Sequence, residues 1–321
     1  MNHLLGLRGE KKENIQKILD LAKVYVPSNP DDTPTNYKIL AGHTIVLAFF
    51  ENSTRTRISF DLAARRLGAG VINFSSSGTS VQKGETLADT IFTLQSMRVS
   101  AFVVRHSDSG TAEILSRLTH KPILNAGDGM HEHPTQALLD MLTLEQSFGK
   151  LEGIRVLILG DILHSRVARS NIFGLTTMGA KVGVCAPPTF LPVGIETWGN
   201  EENPIEIFTD VKKAVKWCDA VIVLRLQLER EAAGYIPSIR EYRNFFSLTD
   251  DALVAASREV FVMHPGPVNR EIEISGTVAD RVDIDAPIGG LSGSLILKQV
   301  SNGVAVRMAA LQLLLSPNTM N

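Results

Sequence analysis

The chain has 321 residues, of which 44% are apolar and 21% charged, and a formal net charge of −2. That length suits about two domains of roughly 150 residues each, with enough apolar side chain to build cores without covalent staples. The near-neutral balance excludes a global pull toward nucleic acid or anionic lipid, and two widely separated cysteines, Cys185 and Cys218, exclude a disulfide framework or a four-cysteine zinc site and suit a reducing cytoplasm.

The N-terminus reads as a charged amphipathic helix rather than a secretory leader, and no apolar run approaches the ~18 residues that span a bilayer. The continuous apolar run at 44–50 (TIVLAFF) predicts a buried strand, followed by a helix over 56–67 that Gly68 and Gly70 stop. A strand at 71–74, a helix at 86–97, a strand at 101–105, a helix at 111–118, a short strand at 122–125 and a helix at 135–148 complete the first half. The second half repeats the rhythm: strand 155–159, helix 166–178, strand 181–185, a Pro/Gly-rich loop over 186–203, helix 211–217 and strand 220–224. A charged, irregular stretch at 229–246 that reads as a long loop with helical pieces, a strand at 260–263 and a long helix at 292–315 come last.

Such alternation predicts an α/β fold of two doubly wound domains with mostly parallel sheets, the active site lying in the cleft at the strand C-terminal ends. The expected domains are 1–149 and 150–291, with the C-terminal helix 292–321 packing back on the first.

Each predicted strand gives way to polar and often cationic residues. Glu51, Asn52, Ser53, Thr54, Arg55, Thr56 and Arg57 come after the first; Ser80 and Lys83 after the second; Arg105 and His106 close the third; His131, His133 and Gln136 come after the fourth. Asp161, His164 and Arg166 are next, then Arg225 and Gln227, then His264, Pro265 and Gly266. In open α/β sheets ligands bind beyond these ends. The segment Ser53-Thr54-Arg55-Thr56 lies between an apolar strand and a helix start, where free N–H groups and the positive end of the dipole favour phosphate. A capped helix with a solvated basic face would contain the same residues. There is no Walker loop and no GxGxxG turn. His131 and His133 have a spacing that can ligate a metal from a strand, but no third ligand is evident, so no metal is expected.

FFENSTRTR at 49–57, KGET at 83–86, HPTQ at 133–136 and HPGP at 264–267, in that order and spacing, resemble the carbamoyltransferase family over nearly the whole chain. The Ser-Met-Gly and HCLP elements typical of its ornithine branch are missing. Arg225-x-Gln227, HPGP and HSRVARSN at 164–171 look like the branch whose acceptor is aspartate. Two carboxylates call for cations with fork geometry, and Arg166, Arg225 and Lys83 supply them.

The resemblance implies transfer of the carbamoyl group of carbamoyl phosphate to L-aspartate, a step of pyrimidine synthesis. It implies that Ser53, Thr54, Arg55, Thr56 and Arg105 hold the phosphate and that Thr56, Arg105 and His133 polarise the carbonyl. Gln136 and the carbonyls of Pro265 and Gly266 would hold the amide nitrogen; Lys83, Arg166, Arg225 and Gln227 would hold aspartate. Glu51 and Arg230 look like charges that bridge toward Arg166. Ser80 and Lys83 would come from a neighbouring subunit of a homotrimer with shared sites, with a regulatory subunit or a dihydroorotase as possible further partners. No cofactor is expected, because the departing phosphate can take the amine's proton. The alternatives are a transcarbamylase with another amine acceptor, or a non-catalytic protein on the same fold; the latter would lack one of Arg55, Arg105 and His133, and all three are present.

Overall fold

Strands apolar along their whole length belong in sheets covered on both faces, and the computed structural model has that form. It describes residues 2–29, 32–75, 86–226, 238–256, 259–280 and 293–316. The order is α1 (Lys12–Tyr25), β1 (Thr44–Phe49), α2 (Thr54–Arg66), β2 (Gly70–Ser75), α3 (Leu87–Ser96), β3 (Ala101–His106), α4 (Thr111–Leu118), β4 (Ile123–Asp128) and α5 (Pro134–Phe148). Then come β5 (Arg155–Leu159), α6 (Arg166–Thr177), β6 (Lys181–Cys185), β7 (Glu206–Phe208), α7 (Val211–Trp217) and β8 (Ala220–Val223). The chain continues through α8 (Ile239–Phe246), α9 (Asp250–Val254), β9 (Phe261–Met263), α10 (Gly276–Ala279) and α11 (Ile296–Leu315).

Two compact units result: Met1–Leu142 with Ser301–Asn321, and Thr143–Val300. The first holds a sheet in the order β2-β1-β3-β4 and the second a sheet in the order β7-β6-β5-β8-β9. Among the described residues every strand pair is parallel, as the expectation of mostly parallel sheets requires. β3 and β4 are buried at nearly every residue, as sheet interiors flanked by helices require. In the first unit Val46, Ala48, Phe102, Val104, Ile91 and Leu115 share a core. In the second, Leu157, Val221, Val223, Val215, Leu253 and Val262 do. Cys185 and Cys218 are buried there outside any disulfide, and burial pushes the Cys185 thiol up to about 12.

The elements that differ from the sequence expectation are short. The expected loop 186–203 contains 3-10 turns at Pro188–Phe190 and Ile195–Trp198. β7, α9 and α10 are three to five residues long and carry too little periodicity to announce themselves. Among the described residues no helix is long and apolar enough to cross a membrane.

One close approach makes a stability prediction. A Cβ on Gly183 of β6 would stand 2.7 Å from the Trp217 ring and 3.1 Å from Phe208. Gly183→Ala is expected to overpack this face and cost about 1–3 kcal/mol, read as a lower urea midpoint with an unchanged slope.

Candidate active site

Both sheets reverse their winding at one point. In the first unit it lies between β1 and β3, in the second between β5 and β8. Crevices for ligands open outside the carboxyl ends of the strands at such points. The residues delivered there are those just past β1, β3, β5 and β8.

β1 runs into Ser53, the N-cap of α2, in extended conformation. Its side chain makes no capping bond. At other helix starts Thr86, Ser165, Asp210, Ser238, Thr249 and Ser275 each accept a backbone N–H with the side chain. The Ser53 hydroxyl is thus not used to cap its helix. The first turn of α2 contains no acidic residue and begins Thr54-Arg55-Thr56-Arg57. α1, α3, α4, α8 and α9 all place an acid in that turn. Cations at the positive end of a helix dipole weaken the helix, and an anion bound there reverses the penalty.

Arg105, buried at the end of β3, is held from both neighbouring strands. Nη1 donates to the Ala126 carbonyl of β4 at 3.0 Å, and Nη2 donates to Glu51 Oε1, just past β1, at 3.3 Å. Nothing in the linear sequence announces this pairing of Glu51 with Arg105. His133 is buried immediately before α5, and its carbonyl accepts the Gln136 N–H at 3.0 Å. Gln136 Nε2 donates to Asp140 Oδ1 at 3.0 Å.

The turn between β4 and α5 is braced by Asp128. Burial alone would raise its carboxyl pKa, but hydrogen bonds from His131, Asn125 and the Gly110 N–H carry it below the usual carboxylate range. A depressed folded value gives stability above the ordinary carboxylate pKa that is lost as pH falls through the folded one. Asp128→Asn is therefore expected to lower the melting temperature at pH 7, with the gap narrowing at pH 3. His131 is thus a partner of Asp128, while Glu132 accepts the Leu7 and Arg8 N–H groups at 2.7 and 3.0 Å. Among the described residues no three His, Cys, Asp or Glu side chains are grouped to hold a metal.

In the second unit Arg166 opens α6, is 7% exposed, and again has no acid in its turn. Asp161 shapes the approach, accepting the His164 backbone N–H at 3.1 Å and facing the His164 ring Nδ1 at 2.9 Å. Arg225 lies just past β8 and is half-buried.

The HPGP turn after β9 is also fixed from behind. His264 Nδ1 accepts the Gly266 N–H at 2.8 Å, so Nε2 carries the ring proton and donates to buried Glu273 at 3.2 Å. Asn269 donates its backbone N–H to the same oxygen and its amide N–H to the Leu226 carbonyl at 3.1 Å. Glu273 thereby ties the segment bearing Pro265 and Gly266 to the one bearing Arg225. No sequence signal marks it beyond an acid inside an otherwise turn-rich stretch. Ser80, Lys83, Gln227 and Arg230 lie outside the described residues.

Residues 2–146 match the model of the carbamoyl-phosphate binding domain of aspartate/ornithine carbamoyltransferases, and residues 152–314 match their aspartate/ornithine binding domain. The chain belongs to the carbamoyltransferase family. Among its relatives in the family, the aspartate carbamoyltransferase catalytic subunit of Prosthecochloris aestuarii is 56% identical over 99% of both chains. Two solved members have the same fold. One is the aspartate transcarbamoylase of Trypanosoma cruzi in complex with carbamoyl phosphate and aspartate, with a TM-score of 0.84 at 29% identity, covering 98% of this chain and 97% of that one. The other is the ornithine carbamoyltransferase of Pyrococcus furiosus, with a TM-score of 0.83 at 28% identity and the same coverage. Fold alone thus does not separate the two acceptors within the family. The side chains must.

Proposed function

We propose that the chain transfers the carbamoyl group of carbamoyl phosphate to the amine of L-aspartate, giving N-carbamoyl-L-aspartate, a pyrimidine precursor, and phosphate. The observation that carries this is the content of the two switch points: hydroxyls and cations on an acid-free helix start in the first unit, and a buried arginine on an acid-free helix start in the second.

In this reading Ser53, Thr54, Arg55, Thr56 and Arg105 hold the phosphate through backbone N–H groups, hydroxyls and charge-assisted bonds. Thr56, Arg105 and His133 face the carbonyl oxygen, where negative charge grows as the amine lone pair attacks the carbon. Gln136 and the carbonyls of Pro265 and Gly266 accept from the carbamoyl nitrogen. Arg166, Arg225, Gln227 and Lys83 bind the two carboxylates of aspartate. As the new C–N bond forms, the C–O bond to phosphate breaks and the phosphate takes the amine proton. The protein supplies placement and fixed charge rather than a dedicated base.

A homotrimer, with Ser80 and Lys83 reaching a neighbour's site, completes this reading. It is supported by the exposed apolar side chains Ile58 and Leu62 on α2 and Ile72 on the edge strand β2. Two buried cysteines outside any disulfide suit a reducing compartment and support the cytoplasm. The test is an acceptor series with carbamoyl phosphate: aspartate is expected to be turned over, ornithine and putrescine not. Turnover of either of the latter without aspartate would refute the assignment.

A further inference from the structure

Helix α11 is apolar along most of its length, yet it carries Gly303 and Arg307. The two explain each other. A Cβ on Gly303 would stand 2.5 Å from Arg307 Nη1, and that nitrogen donates to the Gly303 carbonyl at 2.9 Å. The glycine is the room that lets the guanidinium fold back along its own helix. The guanidinium carbon lies 5.0 Å from the centroid of the Phe60 ring, and Arg307 is 4% exposed. Burial pushes its pKa down to about 10, and the charge opposing that shift is Asp140.

A cation buried this deeply is a weak device for stability, since well-packed apolar groups of similar volume often serve as well or better. The opposing charge makes a contact of its own. Asp140 is wholly buried on α5 and accepts the Gln136 Nε2–H. An ionised carboxylate only accepts, so the Gln136 amide has one orientation available: nitrogen on Asp140, Oε1 directed elsewhere.

We propose that Asp140, with the Arg307 cation as its counter-charge, is a positioning residue that fixes the Gln136 amide as an acceptor and so makes the site prefer an acyl phosphate bearing an NH2 group to one bearing a methyl. This rests on the reading of Gln136 as a ligand of the carbamoyl nitrogen. A neutral residue at 140 can donate to Gln136 Oε1, which turns the amide over and presents N–H to N–H.

The discriminating probe is acetyl phosphate, which replaces the NH2 of carbamoyl phosphate with CH3. KM for carbamoyl phosphate and the competitive inhibition constant of acetyl phosphate are measured on the full chain. In Asp140→Asn the KM is expected to rise roughly three- to tenfold, the worth of one hydrogen bond, while acetyl phosphate binding stays within about twofold. Arg307→Met is expected to shift the ratio the same way, and serves alone if the Asp140 variant does not fold. Gln136→Met should lose the preference, and adding Asp140→Asn to it should change nothing further. Equal weakening of both ligands, an unchanged ratio in a folded variant, or additive losses in the double variant would overturn the proposal. An unmodified chain that is inactive with carbamoyl phosphate and aspartate would remove the functional reading and this inference with it; an active one with an unaltered ratio in the variants would remove this inference alone.

Discussion

Arg105→Ala is expected to lower kcat by about 10²–10³-fold, the loss seen on removing a preorganised oxyanion donor. The guanidinium is already anchored on the Ala126 carbonyl and on Glu51, so no reorganisation is needed when substrate arrives. Charge on the carbonyl oxygen builds only as the amine attacks, which places the loss on kcat more than on KM. Truncation also strips the Ala126 carbonyl and Glu51 of this donor, at a cost of about 1–3 kcal/mol in stability. Thermal melting separates that cost from the kinetic one. Arg55→Ala and His133→Ala should act in the same direction, Arg55→Ala with the smaller effect on stability because that side chain is exposed. A kcat for Arg105→Ala within about threefold of the parent would be too small a change to come from a lost transition-state contact.

Arg166→Ala carries the second large effect, on the acceptor. A buried cation that meets a carboxylate is worth several kcal/mol when truncated, so KM for aspartate should rise by about 10²–10³-fold. Carbamoyl phosphate affinity should move by no more than about twofold, because Arg166 lies in the second unit and in the proposed reading binds aspartate alone. A dicarboxylate without an amine, such as succinate, should inhibit the parent in competition with aspartate and lose that inhibition in the variant. If KM for both substrates rose together, Arg166 would be a structural group and the acceptor assignment would need another cation.

Most of the framework is legible in the sequence. Runs such as TIVLAFF and RVLIL are uninterrupted because the sheet is covered on both faces, and their ends are visible where hydroxyls and cations begin. Ser53, Arg55, Arg105, His133 and Arg166 can be picked out because such residues after a buried strand have few structural reasons to be there. β7 escapes notice: it is a three-residue edge strand with exposed positions, so it lacks the apolar run that betrays an inner strand. The supporting groups are opaque for another reason. Asp140 and Glu273 look like ordinary surface acids in a linear sequence, and only three-dimensional burial turns them into constraints on Gln136 and the HPGP turn. Asp161 can be read as a cap or as a site residue; its two contacts to His164 make it the frame of the turn leading to Arg166.

The division of the chain bears on how it is made. The second unit is one unbroken stretch, Thr143–Val300, whereas the first needs Ser301–Asn321 as well. During translation the later half therefore has all its parts before the earlier half does. The earlier half must wait on the ribosome with the slot for Arg307, Met308 and Leu311 open, its apolar lining within reach of chaperones, until α11 emerges to fill it.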